Sequence, residues 1–331
     1  MANVTLGDMA QSFALRRQNA SLQAEVQRLS TETVTGLAAD TGRAVAGDFT
    51  ALSSITRSLS QLEAYRHSGT MAATLATGTQ NALSVLGKAV EGLGARLVDP
   101  VQAGNAGTLA ALTQGADQAF RSVVATLDTR LGGQSLFAGT AVEGQAMADA
   151  GAILSSLQAA TEGLTSASRL AAAVDDWFES DFATVAYQGG AGRAPMAVGE
   201  GDHVNVLVTA EDPAIMETLK GLAMGVLLNR GALEGLVEER QAAATLSGET
   251  LLNADAARVS LVSRLGVAEG RLADIQTRDA AQAAALNLAR TEMLSVDPYE
   301  SAVRLEAAQT QVETLYSVTA RLSKMSLADF I

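Results

Sequence analysis

The sequence predicts a mainly α protein: a long antiparallel coiled-coil rod made from N- and C-terminal helices, with a small α/β-hairpin insertion in the middle. Three observations predict it. Apolar residues recur at alternating steps of four and three at both ends of the chain, which is coiled-coil spacing. Only 4 prolines interrupt the 331 residues. The apolar fraction is 48% but rich in alanine, with aromatics at 4%, and such a composition suits closely packed helices better than a bulky core.

The first helix is expected from about Gly7 to Leu37, with Leu15, Asn19, Leu22, Val26, Leu29 and Thr33 on one stripe. Gly36 and then Asp40-Thr41-Gly42 break the pattern. Two further helices are expected over Ala44–His67 and Thr70–Leu97, the latter stopped by Asp99-Pro100, and a fourth over Thr108–Leu131, ended by the Gly132-Gly133 pair. Ala148 to Phe178 still reads helical. The period then changes to two: Val185 and Tyr187 precede a glycine-rich turn at Gly189-Gly190-Ala191-Gly192, and His203 to Thr209 alternates with valines on one side. Two or three short strands are expected here, closed by a helix that Asp212 caps and Pro213 opens.

Heptads return over Ala243–Met293, through Leu261, Leu265, Ala268, Leu272 and Ile275, and then Asp279 and Gln282. A helix of that span would be roughly 70 Å long. Asp297-Pro298-Tyr299-Glu300 reads as a capping-box variant that opens the last helix. Its stripe is Leu305, Ala308, Val312, Leu315, Thr319 and Leu322. The two terminal stripes face each other in the expected fold. Residues 1–42 then form a terminal segment paired with 296–331, residues 43–140 and 243–295 form the two halves of a helical rod, and 141–242 form a variable middle region. Each terminal seam is narrow, alanine-rich and interrupted by polar residues, so order at the two ends is expected to depend on contacts from neighbouring copies.

Net charge is -13. The first 66 residues balance 6 basic against 6 acidic side chains, and residues 245–331 carry 8 against 11. Residues 67–244 carry 9 against 19, so the ends can approach copies of themselves while the middle stays solvated. No basic patch interleaved with aromatics suggests nucleic acid or an anionic membrane as partner. Cysteine is absent, which excludes disulfides, thiolate metal sites and cysteine nucleophiles. Residues 1–15 lack the features of a cleaved signal, and no apolar run reaches spanning length.

Chemistry finds little footing. His67 and His203 are far apart in sequence, and a surface or capping role suits them better than an acid–base or metal pair. Asp175, Asp176, Glu179 and Asp181 surround Trp177 and Phe178 without the ligand order of a calcium loop. The glycine run 189–192 has no Lys-Ser or Lys-Thr after it and reads as a hairpin turn instead of a phosphate loop. No catalytic or cofactor-binding residue is nominated.

Several segments resemble the flagellin-like family of flagellar axial proteins. Leu29-Ser30 with Thr35 to Asp40, and Leu59 to Tyr65, are similar to its N-terminal stretches. Gly132-Gly133-Gln134-Ser135-Leu136-Phe137-Ala138-Gly139-Thr140 is similar to the Gly-x-x-Leu-Phe-x-Gly-Thr signature of hook-associated proteins of the third type, with Gly133, Leu136, Phe137, Gly139 and Thr140 as the matching positions. Ser135 stands there in place of a common aromatic. Val185 to Gly189 looks like the Tyr-x-Gly strand of the same group, and the tail, with Ser326, Leu327 and Phe330, looks like its Ser-Leu-x-x-aromatic ending.

The resemblance implies a non-enzymatic subunit of the hook–filament junction that needs no cofactor. Its implied partners are the first hook-associated protein, flagellin, copies of itself in a ring and an export chaperone. It implies unfolded export through a type III apparatus without cleavage, and assembly through Leu15, Leu22, Val26 and Leu29 with Leu305, Ala308, Val312, Leu315 and Leu322. Two other readings stand beside it: a flagellin filament subunit, and an intracellular coiled-coil scaffold. An enzyme built on the middle region has no motif behind it.

Overall fold

Helical periodicity dominates the sequence and dominates the structure, a computed structural model that describes residues 6–328, apart from the side chains of 6–8, 11, 12 and 322–328. Helices α1 (Leu6–Thr35), α2 (Thr41–Ala44), α3 (Thr50–Val90), α4 (Leu93–Val98), α5 (Pro100–Ala103) and α6 (Ala106–Leu127) come first. A hairpin follows, with β1 (Arg130–Leu131) paired to β2 (Gln134–Ser135). Then come α7 (Ala150–Ala160), α8 (Ala167–Ser180) and a π-helical turn over Phe182–Ala186. The second hairpin pairs β3 (Met196–Ala197) with β4 (His203–Val204), before α9 (Pro213–Asn229), α10 (Val237–Leu294) and α11 (Pro298–Ala328). The fold is mainly α, with two small antiparallel hairpins among the described residues.

The chain divides into two compact units, one of residues 1–63 with 280–331 and one of residues 64–279. The middle region and the rod segments share the core of the larger unit. Helix α9 is buried almost all round, from Ala214 and Ile215 through the continuous run Gly221 to Leu228. A helix apolar on every face has to sit inside. It packs against α6 and α10, and small residues permit the approach: a Cβ on Gly225 would stand 2.8 Å from the Ala116 Cβ, and one on Gly221 2.7 Å from Leu251. Ser247 of α10, fully buried, donates to the Gly221 carbonyl at 2.7 Å. Residues 141–242 are therefore part of the main core.

Three differences from the sequence reading have local causes. The two helices expected over 44–67 and 70–97 are one, α3. Gly69 is a site of close approach, where a Cβ would lie 3.4 Å from Leu272 and 3.0 Å from Gln276 of α10. Gly132 and Gly133 do not end a helix; both have positive φ, 58° and 83°, and form the turn between β1 and β2, the backbone that a two-residue hairpin loop requires. Val185 is not on a strand. Phe182 stacks on Phe178 at 5.3 Å and meets Trp177 edge-on at 6.4 Å, which keeps Phe182–Ala186 wound, and only Tyr187 makes an isolated bridge, to Met147. The alternation at Val204, Val206 and Val208 buries all three as expected, although the paired strand ends at Val204.

Candidate functional site: the terminal helix pair and the motif of the larger unit

In the smaller unit α1 ends where Gly36 takes a positive φ of 67°. Its chain then crosses the α10–α11 junction as a short ladder: Ala38 N–H donates to Leu294 O at 2.7 Å and Val296 N–H donates to Gly36 O at 3.0 Å, around a Leu37–Ser295 bridge. The Asp297 carboxylate accepts from the Tyr299 N–H at 2.8 Å and so caps α11 behind Pro298. Glu300 does not complete a capping box; it accepts from Arg304 at 2.6 Å.

Helices α1 and α11 pack against each other, and Gln23 Nε2 donates to the Tyr316 hydroxyl at 3.0 Å. The pairing runs antiparallel, since the Leu37–Ser295 bridge closes one end and Gln23 meets Tyr316 further along. Leu29, Ala308 and Leu315 are buried; Leu15, Asn19, Leu22, Val26, Thr33, Leu305 and Val312 are half-buried. Thr319 is exposed, so that position does not belong to the covered seam. The Leu322, Ser326 and Leu327 side chains, and Phe330, lie outside the described residues.

One polar knot went unread in the sequence. Glu32 is 5% exposed, accepts twice from Arg28 at 2.8 Å, and accepts from the Ala39 N–H at 3.1 Å. Arg28 also pairs with Glu25. Glu25, Arg28 and Glu32 at steps of three and four were the available signal, and the result is a carboxylate that ties the end of α1 to the turn that follows it.

The unit these helices form has little interior. Among its described residues, Leu29, Glu32, Ile55, Ser301, Ala308 and Leu315 are the buried ones. Large apolar side chains face out instead: Val34 is 84% exposed, Tyr299 79% and Phe13 66%, with Leu288, Val303, Tyr316 and Val318 also exposed. Phe13 and Val34 are on α1, Leu288 is on α10, and the other four are on α11.

In the larger unit the stretch Gly133 to Thr140 folds inward. Leu136, Phe137 and Ala138 are buried. Gly139 has φ 55°, and a Cβ there would stand 2.4 Å from Gly190 O and 2.5 Å from Ala191 O. Thr140 N–H donates to Ala191 O and Gly190 N–H to Ala138 O, both at 2.9 Å, while Ala210 N–H donates to Phe137 O at 3.0 Å. The glycine-rich turn and the Leu-Phe-Ala-Gly-Thr stretch thus dock on each other. The Tyr187 hydroxyl donates to Gly190 O at 2.7 Å. Burial first, and the charge of Glu211 second, push its pKa up to about 12, so it remains a donor across the neutral range. The folded value lies above the ordinary one of 10.0. The stability this hydroxyl supplies is therefore full below pH 10 and lost as pH rises through about 12. Tyr187→Phe is expected to lower unfolding stability by about 1 kcal/mol at pH 7 and to remove this alkaline component from urea titrations at pH 9 to 12.

No cluster of three or more His, Asp or Glu able to hold a metal occurs among the described residues. His67 and His203 are both exposed, and Trp177 donates to Ser156 Oγ at 3.0 Å as part of the core. Lys220 is held protonated, although burial opposes it, by Glu217 and Asp175 at 3.1 and 3.2 Å. Trp177 and Lys220 are thus satisfied structural groups. No helix among the described residues is long and apolar enough to cross a membrane.

Residues 253–331 match the bacterial flagellin C-terminal helical region. The fold is similar to that of a flagellar hook-associated protein from Vibrio parahaemolyticus, at 11% identity and a TM-score of 0.54, over 73% of this chain and 95% of that one. Bacillus cereus FlgL aligns at 18% identity and a TM-score of 0.48, over 70% of this chain and 96% of that one. No curated protein matches the chain.

Proposed function

We propose that this chain is a structural subunit of the bacterial flagellum, seated at the junction between hook and filament. The observation that carries the reading is the terminal pair: α11, which lies within the stretch matching the flagellin C-terminal helical region, packs on α1, and among their described residues the two bury Leu29, Glu32, Ser301, Ala308 and Leu315 while their outer faces present Phe13, Val34, Tyr299 and Val303. Such a pair is complete only when other helices cover it. Copies of the same chain supply that cover in a ring, with the first hook-associated protein below and flagellin above. The chain acts mechanically, without catalysis or cofactor, and reaches its place outside the cell by unfolded type III export with a chaperone. The signature at Gly133 to Thr140 supports the junction subunit over flagellin.

Flagellin itself is the second reading, favoured by the description of the region matched by residues 253–331. Deleting the gene separates the two. Hooks without filaments, and unpolymerised flagellin in the medium, are expected for the junction subunit; intact filaments would overturn it, and absence of any flagellin would point to the second reading. An intracellular scaffold is eliminated if the chain is recovered from sheared appendages. A paired variant addresses the surface itself. Val34→Asp with Tyr299→Asp alters two side chains that are already solvated, so monomer stability is expected to change by less than about 0.5 kcal/mol, while filament growth is lost in motility and electron-microscopy assays.

A further inference from the structure

We infer that the β3–β4 hairpin is a strap laid across α3 and α10, and that its tip is held shut by an electrostatic catch centred on Asp202. The inference concerns the larger unit alone and is independent of the flagellar reading. The hairpin has a ladder of two residues per strand, Met196 with Val204 and Ala197 with His203, and a hairpin of that size has almost no stability of its own. It is rooted by Val198 and Val204, both buried. On one side Ser68 of α3 donates to Ala197 O at 2.6 Å. On the other, Asp202 receives two arginines of α10, Arg278 on Oδ2 at 2.7 Å and Arg271 on Oδ1 at 3.2 Å.

The arginines are regularly placed. Arg264, Arg271 and Arg278 are spaced one heptad apart and so share a face of α10; Arg264 meets Asp212, just beyond the strap, at 3.6 Å. Gly199 leaves room for the catch, since a Cβ there would stand 3.1 Å from the Arg278 guanidinium. Both strap contacts fall beside Gly69, where α3 lies against Leu272 and Gln276 of α10. The strap thus ties the two helices together at a point of close approach. Arg278 is shared with Asp279 at 3.3 Å, so the catch is a small network of two arginines and two carboxylates.

An exposed ion pair usually contributes little, and Arg271 and Arg278 are both more than half exposed. The catch matters because what it opposes is also small: local opening of a four-residue turn, which precedes global unfolding and is read by amide exchange.

Hydrogen exchange on the full chain tests this. In Asp202→Asn, and separately in Arg271→Ala with Arg278→Ala, the Val198 and Asp202 amides, which donate to Asp202 O at 2.9 Å and Gly199 O at 3.2 Å, are expected to exchange about tenfold faster, while those of Ala210 and α9 keep their protection. Raising salt to about 1 M should speed exchange of the tip in the wild type and leave the variants unchanged, because only the intact catch is screened. Combining Asp202→Asn with the arginine pair should add nothing to either alone. Unchanged exchange at the tip in both variants, salt-independence of the wild type, or additive effects would each overturn the catch.

Discussion

Leu315→Asp is expected to separate α1 from α11 and to abolish assembly. Leu315 is 7% exposed and is one of three buried seam residues, with Leu29 and Ala308. A carboxylate placed there loses most of its water. The half-buried positions across it are Leu15, Asn19, Leu22 and Val26, and Arg16, which lines the groove beside Tyr316 and Thr319, is exposed, so its solvated charge offsets little. An uncompensated charge at a buried site costs about 3–5 kcal/mol. A seam with so few covered residues has no second layer to absorb that loss. Exchange protection of 15–33 and 301–318 is therefore expected to collapse in the purified variant, with the core of 64–279 unaffected. In cells, export should continue, since an unfolded chain has no use for the seam, and filament growth should fail. Filaments of normal length on Leu315→Asp would contradict the role proposed for the seam. The comparison with Val34→Asp and Tyr299→Asp is informative because the three substitutions are chemically alike. They differ only in whether the side chain is covered within one chain, as Leu315 is, or faces solvent, as Val34 and Tyr299 do.

Much of the helical framework was legible because its determinants are local. The cap at Asp212-Pro213, the break and restart at Ser295 to Pro298, and the seam from Leu15 to Thr33 each depend on residues within a turn or two of each other. The misread places are those where a distant contact decides. Gly69 looks like a breaker until Leu272 and Gln276 are seen against it. Gly132-Gly133 follows a helical stretch and reads as its end, yet Arg130 pairs with Ser135, Leu131 with Gln134, and Leu136 N–H donates to Thr129 O, which makes it a hairpin turn. The all-round burial of α9 was not legible, because nothing in the spacing of Ile215, Leu219 and Leu222 tells that Ala116 of α6 and Ser247 of α10 both come up to Gly225. At the site, the period placed Leu29, Ala308 and Leu315 on one stripe, and these are buried, but it placed Thr319 there as well, which is exposed.

Gly139→Val should be the most damaging single change in the larger unit. Three costs fall on the same atom. With φ at 55°, the backbone is in the left-handed region, which costs an L-residue about 1–2 kcal/mol and a β-branched one more. The new Cβ would lie 2.4 Å from Gly190 O and 2.5 Å from Ala191 O, and both neighbours are backbone. Side-chain repacking cannot relieve that overlap, so the glycine-rich turn must move. Moving it breaks the Thr140–Ala191 and Gly190–Ala138 hydrogen bonds, each 2.9 Å, at about 1 kcal/mol apiece. The expected total of roughly 3–6 kcal/mol is comparable with the whole stability of many domains. A drop of that size in urea unfolding, with Phe137 and Tyr187 losing their fixed near-ultraviolet signals, is the predicted result. Gly132→Asn provides the contrast: its φ is also positive, at 58°, but nothing lies within 4 Å of its Cβ position. Asparagine is accepted in such turns, so a loss below about 1 kcal/mol is expected there. If the two variants unfold at the same urea concentration, the close approach of Gly139 to Gly190 and Ala191 does not hold this part of the core together.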